Sequence, residues 1–207
     1  MNAKKKLIRI TTVPASLSGL LQGQLRYMSQ YYNLLGVSSQ GQKNELNKVS
    51  ELEGIPTYPI EMTRKITPFK DLKAVWQLYK LFKKEKPFIV HTHTPKAGTL
   101  GMLAAKLAGV PHRLHTIAGL PLVETKGLKR VVLNLIEKLT YASASKIYPN
   151  SKGLKTIILN HKFTHIRKLK VLANGSSNGI DTDYFNPQYK GGSNTNLELI
   201  KDLNINE

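Results

Sequence analysis

Residues Phe88–Pro111, FIVHTHTPKAGTLGMLAAKLAGVP, read as a strand that runs straight into a helix. Phe88–His93 is a short β-rich run, and side-chain alternation puts His91 and His93 on one side of it. Thr94 stands where a helix N-cap belongs. Pro95 takes the first helical position, where a missing N–H costs nothing. The helix expected over Pro95–Ala108 stops at Gly109, a left-handed terminator ahead of Pro111. Its many glycines and alanines permit close packing on a sheet. Strands joined through helices of this length build parallel sheets.

The same alternation extends in both directions. Further strands are expected at Leu7–Thr12, Leu34–Ser38, Thr57–Ile60, Arg113–Ile117, Lys146–Pro149 and Lys170–Leu172. Further helices are expected at Leu20–Tyr32, Lys43–Leu52, Pro68–Lys86, Leu128–Ala142 and Gly153–Asn160. The fold class is therefore α/β, a Rossmann-like three-layer sandwich with a mainly parallel sheet. In Leu128–Ala142, one stripe carries Leu128, Val131, Val132, Leu135, Ile136 and Leu139, and the other face Lys129, Arg130, Asn134, Glu137 and Lys138. A domain over 1–187 is expected to give way to a linker over 188–207, with Gly191–Asn196 flexible and Leu197–Leu203 a short helix leading towards a second domain.

Composition narrows the function. At 41% hydrophobic residues the chain of 207 has enough apolar content for a core, which excludes wholesale disorder. Lysine and arginine number 31 against 13 acidic residues, a formal charge of +18 that asks for an anionic partner. Aromatics are only 7%, and no stacking or recognition-helix motif occurs, so no specific nucleic acid is expected. The basic clusters Arg64–Lys86 and Lys152–Lys170 are solvated faces or a surface for anionic lipid, where each basic side chain contributes about 1 kcal/mol. No cysteine is present, which removes disulfides, thiolate metal sites and thiol nucleophiles and suits the cytoplasm. The first apolar stretch is broken by Arg9, then by Thr11, Thr12 and Pro14, so neither an export signal nor a membrane span is expected. The location that follows is cytoplasmic, with peripheral attachment to the inner membrane face open.

Ligands of open α/β sheets bind beyond the carboxyl ends of the strands. The loop after the first strand offers Ser16, Ser18 and Gly19 there, although it holds neither a dinucleotide nor a phosphate-loop fingerprint. The fourth strand ends in His93, Thr94 and Lys96. A zinc site at His91 and His93 would lack a third ligand, so no metal is expected. Gly119 shapes the loop after the fifth strand, and Asn150, Ser151 and Asn174 follow the next two. Ser151 reads equally well as a helix cap, and Asn174–Asp181 as a double turn leaving the sheet. No Gly-x-Ser-x-Gly elbow supports a catalytic triad.

Taken in order, Val90–Pro111, His115-Thr-Ile-Ala-Gly-Leu-Pro121, Glu137-Lys138, Tyr148-Pro-Asn-Ser151 and Asn174-Gly-Ser-Ser-Asn-Gly-Ile-Asp181, with Phe185 and Pro187, resemble the N-terminal half of a GT-B glycosyltransferase of family 4. The likeness is to the bacterial type that builds capsule or O-antigen units, and it runs from about Ile8 to Pro187. It implies one of two Rossmann-like domains facing across a cleft. This half would hold the acceptor, a lipid-linked glycan, while the other half would hold a UDP-linked nucleotide-sugar donor. It also implies transfer with retention of configuration, with no metal or other cofactor bound.

Under the resemblance, Ser16, Ser18 and Gly19 belong to the cleft loop, and His93, Thr94 and Lys96 contact acceptor or diphosphate. Gly119 shapes the loop between them, and Asn150, Ser151 and Asn174 complete the rim. Ala118 stands where many members carry a histidine, so no catalytic residue is assigned. The chain ends at Glu207, short of the donor domain, so the piece alone is expected to be inactive. A reading from another class is a non-catalytic membrane-surface subunit that binds the acceptor and recruits a separate donor-binding protein.

Overall fold

The computed structural model describes residues 3–120, 125–176 and 182–183. Six strands form one sheet: β1 (Lys6–Ile10), β2 (Asn33–Ser38), β3 (Thr57–Pro59), β4 (Ile89–Thr92), β5 (His112–Ile117) and β6 (Lys146–Pro149). They are ordered β3-β2-β1-β4-β5-β6, and every pairing is parallel. The helices among the described residues are α1 (Pro14–Leu20), α2 (Gln24–Ser29), α3 (Glu45–Glu53), α4 (Pro68–Glu85), α5 (Pro95–Leu107), α6 (Gly127–Ser143) and α7 (Lys152–Asn160). None of the described helices is long and apolar enough to cross a membrane.

Two cores flank the sheet. On one face Ile8, Ile10, Val90, Ile117 and Ile147 pack with α4, α5, Tyr141 of α6 and α7. On the other, Leu7 and Leu34 pack with Leu17, Leu25, Leu46 and Val49 of α1–α3. This is the expected three-layer sandwich. Chain contacts group Met1–Ser177 as one compact unit. The expected boundary at 187, the linker 188–207 and the helix Leu197–Leu203 lie outside the described residues.

α5 packs tightly on the sheet, and its glycines are the reason. A Cβ on Gly98 would run into the His115 ring, and one on Gly101 would sit 2.7 Å from the Thr92 methyl. At its far end Gly109 takes φ +77° and Val110 N–H donates to the Ala105 carbonyl at 2.9 Å, the terminator expected there. The N-cap differs. Thr94 has extended backbone, but its hydroxyl makes no capping bond; it receives the Thr12 N–H at 3.0 Å and meets the Thr12 hydroxyl at 2.7 Å. The side chain ties β4 to β1 instead of closing the helix.

Three other expectations are corrected. The segment after β1 is a helix rather than a loop, because Pro14 starts α1 at its first position. The helix expected over Leu20–Tyr32 is interrupted at Gly23, φ +71°. The buried Glu53 carboxylate of α3 accepts from Gly23 N–H at 2.8 Å and Arg26 N–H at 3.0 Å, so a tertiary carboxylate caps a fresh helix start. A seventh strand over Lys170–Leu172 is absent from the described residues. Only an isolated bridge joins Leu169 to Ile147, because the chain turns at Ala173 and Gly175, both with positive φ, back onto β6.

The apolar stripe of α6 meets another fate. Leu128 is 80% exposed and Leu135 62%, with Val131, Val132 and Leu139 exposed beside them. The helix is held by its opposite edge: Thr140 and Tyr141 are buried, and Leu133 packs against the larger core.

Candidate functional site

The strand order reverses direction between β1 and β4, and that switch point is where open α/β sheets bind ligands. Arg9 of β1 stands opposite His91 of β4 in the parallel register. A charged residue inside a strand buried on both faces is unusual, since such strands are otherwise near-continuous apolar runs. Here it lies 5% exposed at the floor of the crevice.

Two adjoining cavities open at the carboxyl ends of β4–β6 and share His93 and Thr116. The first, about 410 Å³, is lined by Leu20, His93, Thr94, Gly119 and Glu137 among others. The second, about 230 Å³, lies over Arg9, His91, Tyr148, Asn150 and Ser176. His91 Nε2 is 2.8 Å from the Thr116 hydroxyl, and the His91 and His93 rings meet at a 37° tilt with centroids 4.1 Å apart, on one side of the strand as the alternation requires. His115 lies on the other face, its Nδ1 2.8 Å from the Thr92 hydroxyl beneath α5.

Burial sets the charge of this floor. It pushes His91 and His93 well below the usual imidazole range, with Arg9 adding to both, and lowers His115 to about 4. Burial also lowers the Arg9 guanidinium to about 10, which leaves it cationic at neutral pH. Glu137, on the far wall, is raised by its own burial. The floor therefore presents one fixed positive charge among neutral imidazoles, with the Glu137 carboxyl on the wall and hydroxyl and amide groups around the rim.

The structure brings His93, Thr94 and Gly119 into the first cavity and His93 and Asn150 into the second. Asn150 is a hub: its amide donates to the Ala118 carbonyl at 3.3 Å, and its carbonyl accepts from Ser176 N–H at 2.6 Å. Gly175, φ +92°, allows that return, because a Cβ there would strike the Asn150 carbonyl. Ser151 caps α7, accepting from Leu154 N–H at 3.0 Å, and Asn174 is exposed on the turn.

Other expected residues lie elsewhere. Ser16, Ser18 and Gly19 sit within α1; the Ser18 hydroxyl turns back to the Pro14 and Ala15 carbonyls and lines a groove beside α3. Lys96 is half-buried in an ion pair with Asp71, 2.6 Å, which in turn accepts from the Thr67 N–H at the start of α4. Arg9, Thr116, Glu137 and Tyr148 line the site without having been singled out for it. The signal for Arg9 was present as a lone charge within an apolar strand.

The comparisons with known proteins agree with this geometry. A Glycosyl transferase 4-like family model matches residues 10–151. The capsular polysaccharide biosynthesis glycosyltransferase CapM of Staphylococcus aureus is 36% identical over 182 residues, 87% of this chain and 46% of CapM. An Escherichia coli UDP-Gal:alpha-D-GlcNAc-diphosphoundecaprenol alpha-1,3-galactosyltransferase is 29% identical over 92% of this chain and 49% of its own. The chain thus spans about half the length of the curated relatives it matches. Among solved structures, a Rickettsia africae glycosyltransferase superposes with TM-score 0.63 at 18% identity, over 100% of this chain and 51% of that one. Anabaena HepE in complex with UDP and glucose gives 0.64 at 15%, over 96% and 50%. The fold is one half of the two-domain GT-B arrangement. With the family match running from the last residue of β1 past the end of β6, the chain belongs to the glycosyl transferase 4-like family.

Proposed function

We propose that this chain is the acceptor-side domain of a retaining glycosyltransferase that moves a sugar from a UDP-linked donor to a lipid-linked glycan in surface polysaccharide synthesis. The donor would be held by a second domain across the cleft. As the donor bond breaks, negative charge gathers on the leaving diphosphate and positive charge on the sugar, and oriented donors stabilise the former. On this side His93 and Thr94 contact acceptor or diphosphate, and Asn150 completes the rim.

The observation that carries the lipid-linked acceptor is an apolar trough beside the cleft. It holds about 580 Å³ between α4, α5 and α6, lined by Ile66, Leu100, Leu133 and Ile136 together with Arg64, Lys65, Lys129 and the Lys96–Asp71 pair. Glu137 lines both trough and cleft. The uncovered stripe of α6 and the exposed Phe69, Leu72 and Trp76 of α4 extend the apolar surface. Apolar residues ringed by lysines suit an anionic bilayer, where burial of side chains and attraction to phosphates act together.

Vesicle flotation tests this. The protein is expected to float with phosphatidylglycerol vesicles, less with neutral ones, and a Leu128→Ser, Val131→Ser, Leu135→Ser variant is expected to stay behind while folding normally. Equal flotation with both vesicle types, or an unaffected triple variant, overturns the membrane-facing reading.

A further inference from the structure

Arg9 is a buried cation without an anion. Among the described residues the ion pairs are Lys6–Glu85 and Lys96–Asp71, and neither involves it. Its guanidinium donates to Gln24 Oε1 at 3.3 Å, a long contact, while Nε is buried with no partner. His93 repeats the pattern: 7% exposed, with Nε2 buried and unpartnered. Buried polar groups are nearly always satisfied, and a buried charge is nearly always paired. Two such exceptions beside one cavity call for a shared explanation.

That cavity is the one of about 230 Å³, several times the ~30 Å³ of a liquid water. Arg9 and His93 both line it, together with Asn150 and Ser176. The neighbouring His91 has its Nε2 at the Thr116 hydroxyl, so it offers no second orphan. A metal does not fit. The fixed charge is positive, and no group of three or more ligating side chains exists among the described residues. A neutral sugar hydroxyl would satisfy His93 but leave the guanidinium uncompensated. An oxyanion satisfies both.

We infer that Arg9 and His93 form an oxyanion subsite at the floor of the cleft, taking one phosphate group of a diphosphate ligand. The guanidinium supplies charge and N–H donors, and the neutral imidazole donates from Nε2 in the matching tautomer. Asn150, already anchored to Ala118, closes the rim. This deepens the glycosyltransferase reading and rests on it for the phosphate's source, which is either the nucleotide of the donor or the diphosphate of the lipid acceptor. The subsite itself follows from charge and burial.

The test is titration of the full chain, labelled with ¹⁵N in its histidines, with inorganic pyrophosphate. The expected result is saturable binding in which the His93 ring signals move while those of exposed His112 stay. Arg9→Gln is expected to weaken binding about tenfold or more, the loss of a charge-assisted hydrogen bond. Should Arg9→Gln fold poorly, His93→Phe keeps the ring volume and is expected to weaken binding several-fold. UDP and geranyl diphosphate then distinguish the sources: the one that displaces pyrophosphate with His93 responding names the ligand side.

Absent binding in the millimolar range, an unmoved His93, or undiminished binding in the variants overturns the subsite. Vesicle flotation does not depend on Arg9. Loss of the subsite with flotation intact therefore leaves the membrane-facing reading standing, and the reverse outcome leaves the subsite standing.

Discussion

α5 and α6 lie side by side in the same layer, yet they treat their apolar residues in opposite ways. α5 is poor in large side chains and buries most of its apolar residues: Ala97, Leu100, Met102, Ala104 and Ala105 are inside, and only Leu107 at its end is well exposed. α6 carries the sharper apolar stripe and leaves it in solvent, from Leu128 to Leu139. What brings α5 down on the sheet is small size, with Gly98 over His115 and Gly101 over Thr92. What holds α6 is its edge at Thr140 and Tyr141, and its stripe is spare for something else. A stripe marks a surface to be covered without naming the cover.

The contact beneath α5 gives the largest expected effect. His115 has its pKa depressed to about 4, against 6.5 for the free side chain. Native and unfolded states carry equal charge there above pH 6.5. Below it the unfolded state takes up the proton first, so stability present at neutral pH is lost as pH falls towards 4. The shift corresponds to about 3 kcal/mol. Urea unfolding midpoints across that window are expected to fall steeply, and a His115→Gln variant should make the fall shallower, with the buried His91 and His93 still contributing to it. An unchanged slope would mean that α5 does not keep this ring dry.

Next in size is Gly98→Ala. The methyl has no room over His115, and overpacking of this kind costs about 1–3 kcal/mol, against which the better helix propensity of alanine returns under ~1. Gly153→Ala in α7 meets nothing within 4 Å and serves as the opposite case, expected to be neutral or stabilising. Thermal unfolding of the two side by side reads the difference. If both variants gain stability, close approach is not what seats α5.

The smallest effect is expected from Leu135→Ala on α6. An exposed side chain away from any network changes stability by within ~0.5 kcal/mol, whereas a buried leucine would cost about 2–5. A loss in the upper range, measured by denaturant unfolding of the monomeric protein, would show the stripe to be covered within the molecule and end the contrast between the helices.

Much of the architecture was legible because periodicity and punctuation agreed. Pro95, Gly109 and the small residues between them specify α5 within a residue or so of its ends. The break at Gly23 was not legible, because the group that caps α2 is Glu53, thirty positions away and joined only by the fold. Thr94 shows the same limit: its place is that of a cap, but Thr12 claims the hydroxyl. At the site, strand-end position brought out His93, Thr94, Gly119 and Asn150. It passed over Arg9, whose charge reads from sequence as an interruption and in space as the floor of a crevice. Ser16 and Ser18 went the other way, since Pro14 turns their loop into a helix.

The strand order has a consequence for synthesis. β1 is first in the chain yet sits in the interior of the sheet, pairing Leu7 with Leu34 on one side and with Ile89 on the other. A chain emerging from the ribosome can assemble β1–β3 with α1–α3 early, but the second edge of β1 stays unpaired until β4 has been made. Open edges are templates for wrong partners, and a charge on the strand is one of the devices that blunts them. Arg9 sits midway along that waiting edge, so the half-built sheet carries its own deterrent to aggregation until its proper neighbour arrives.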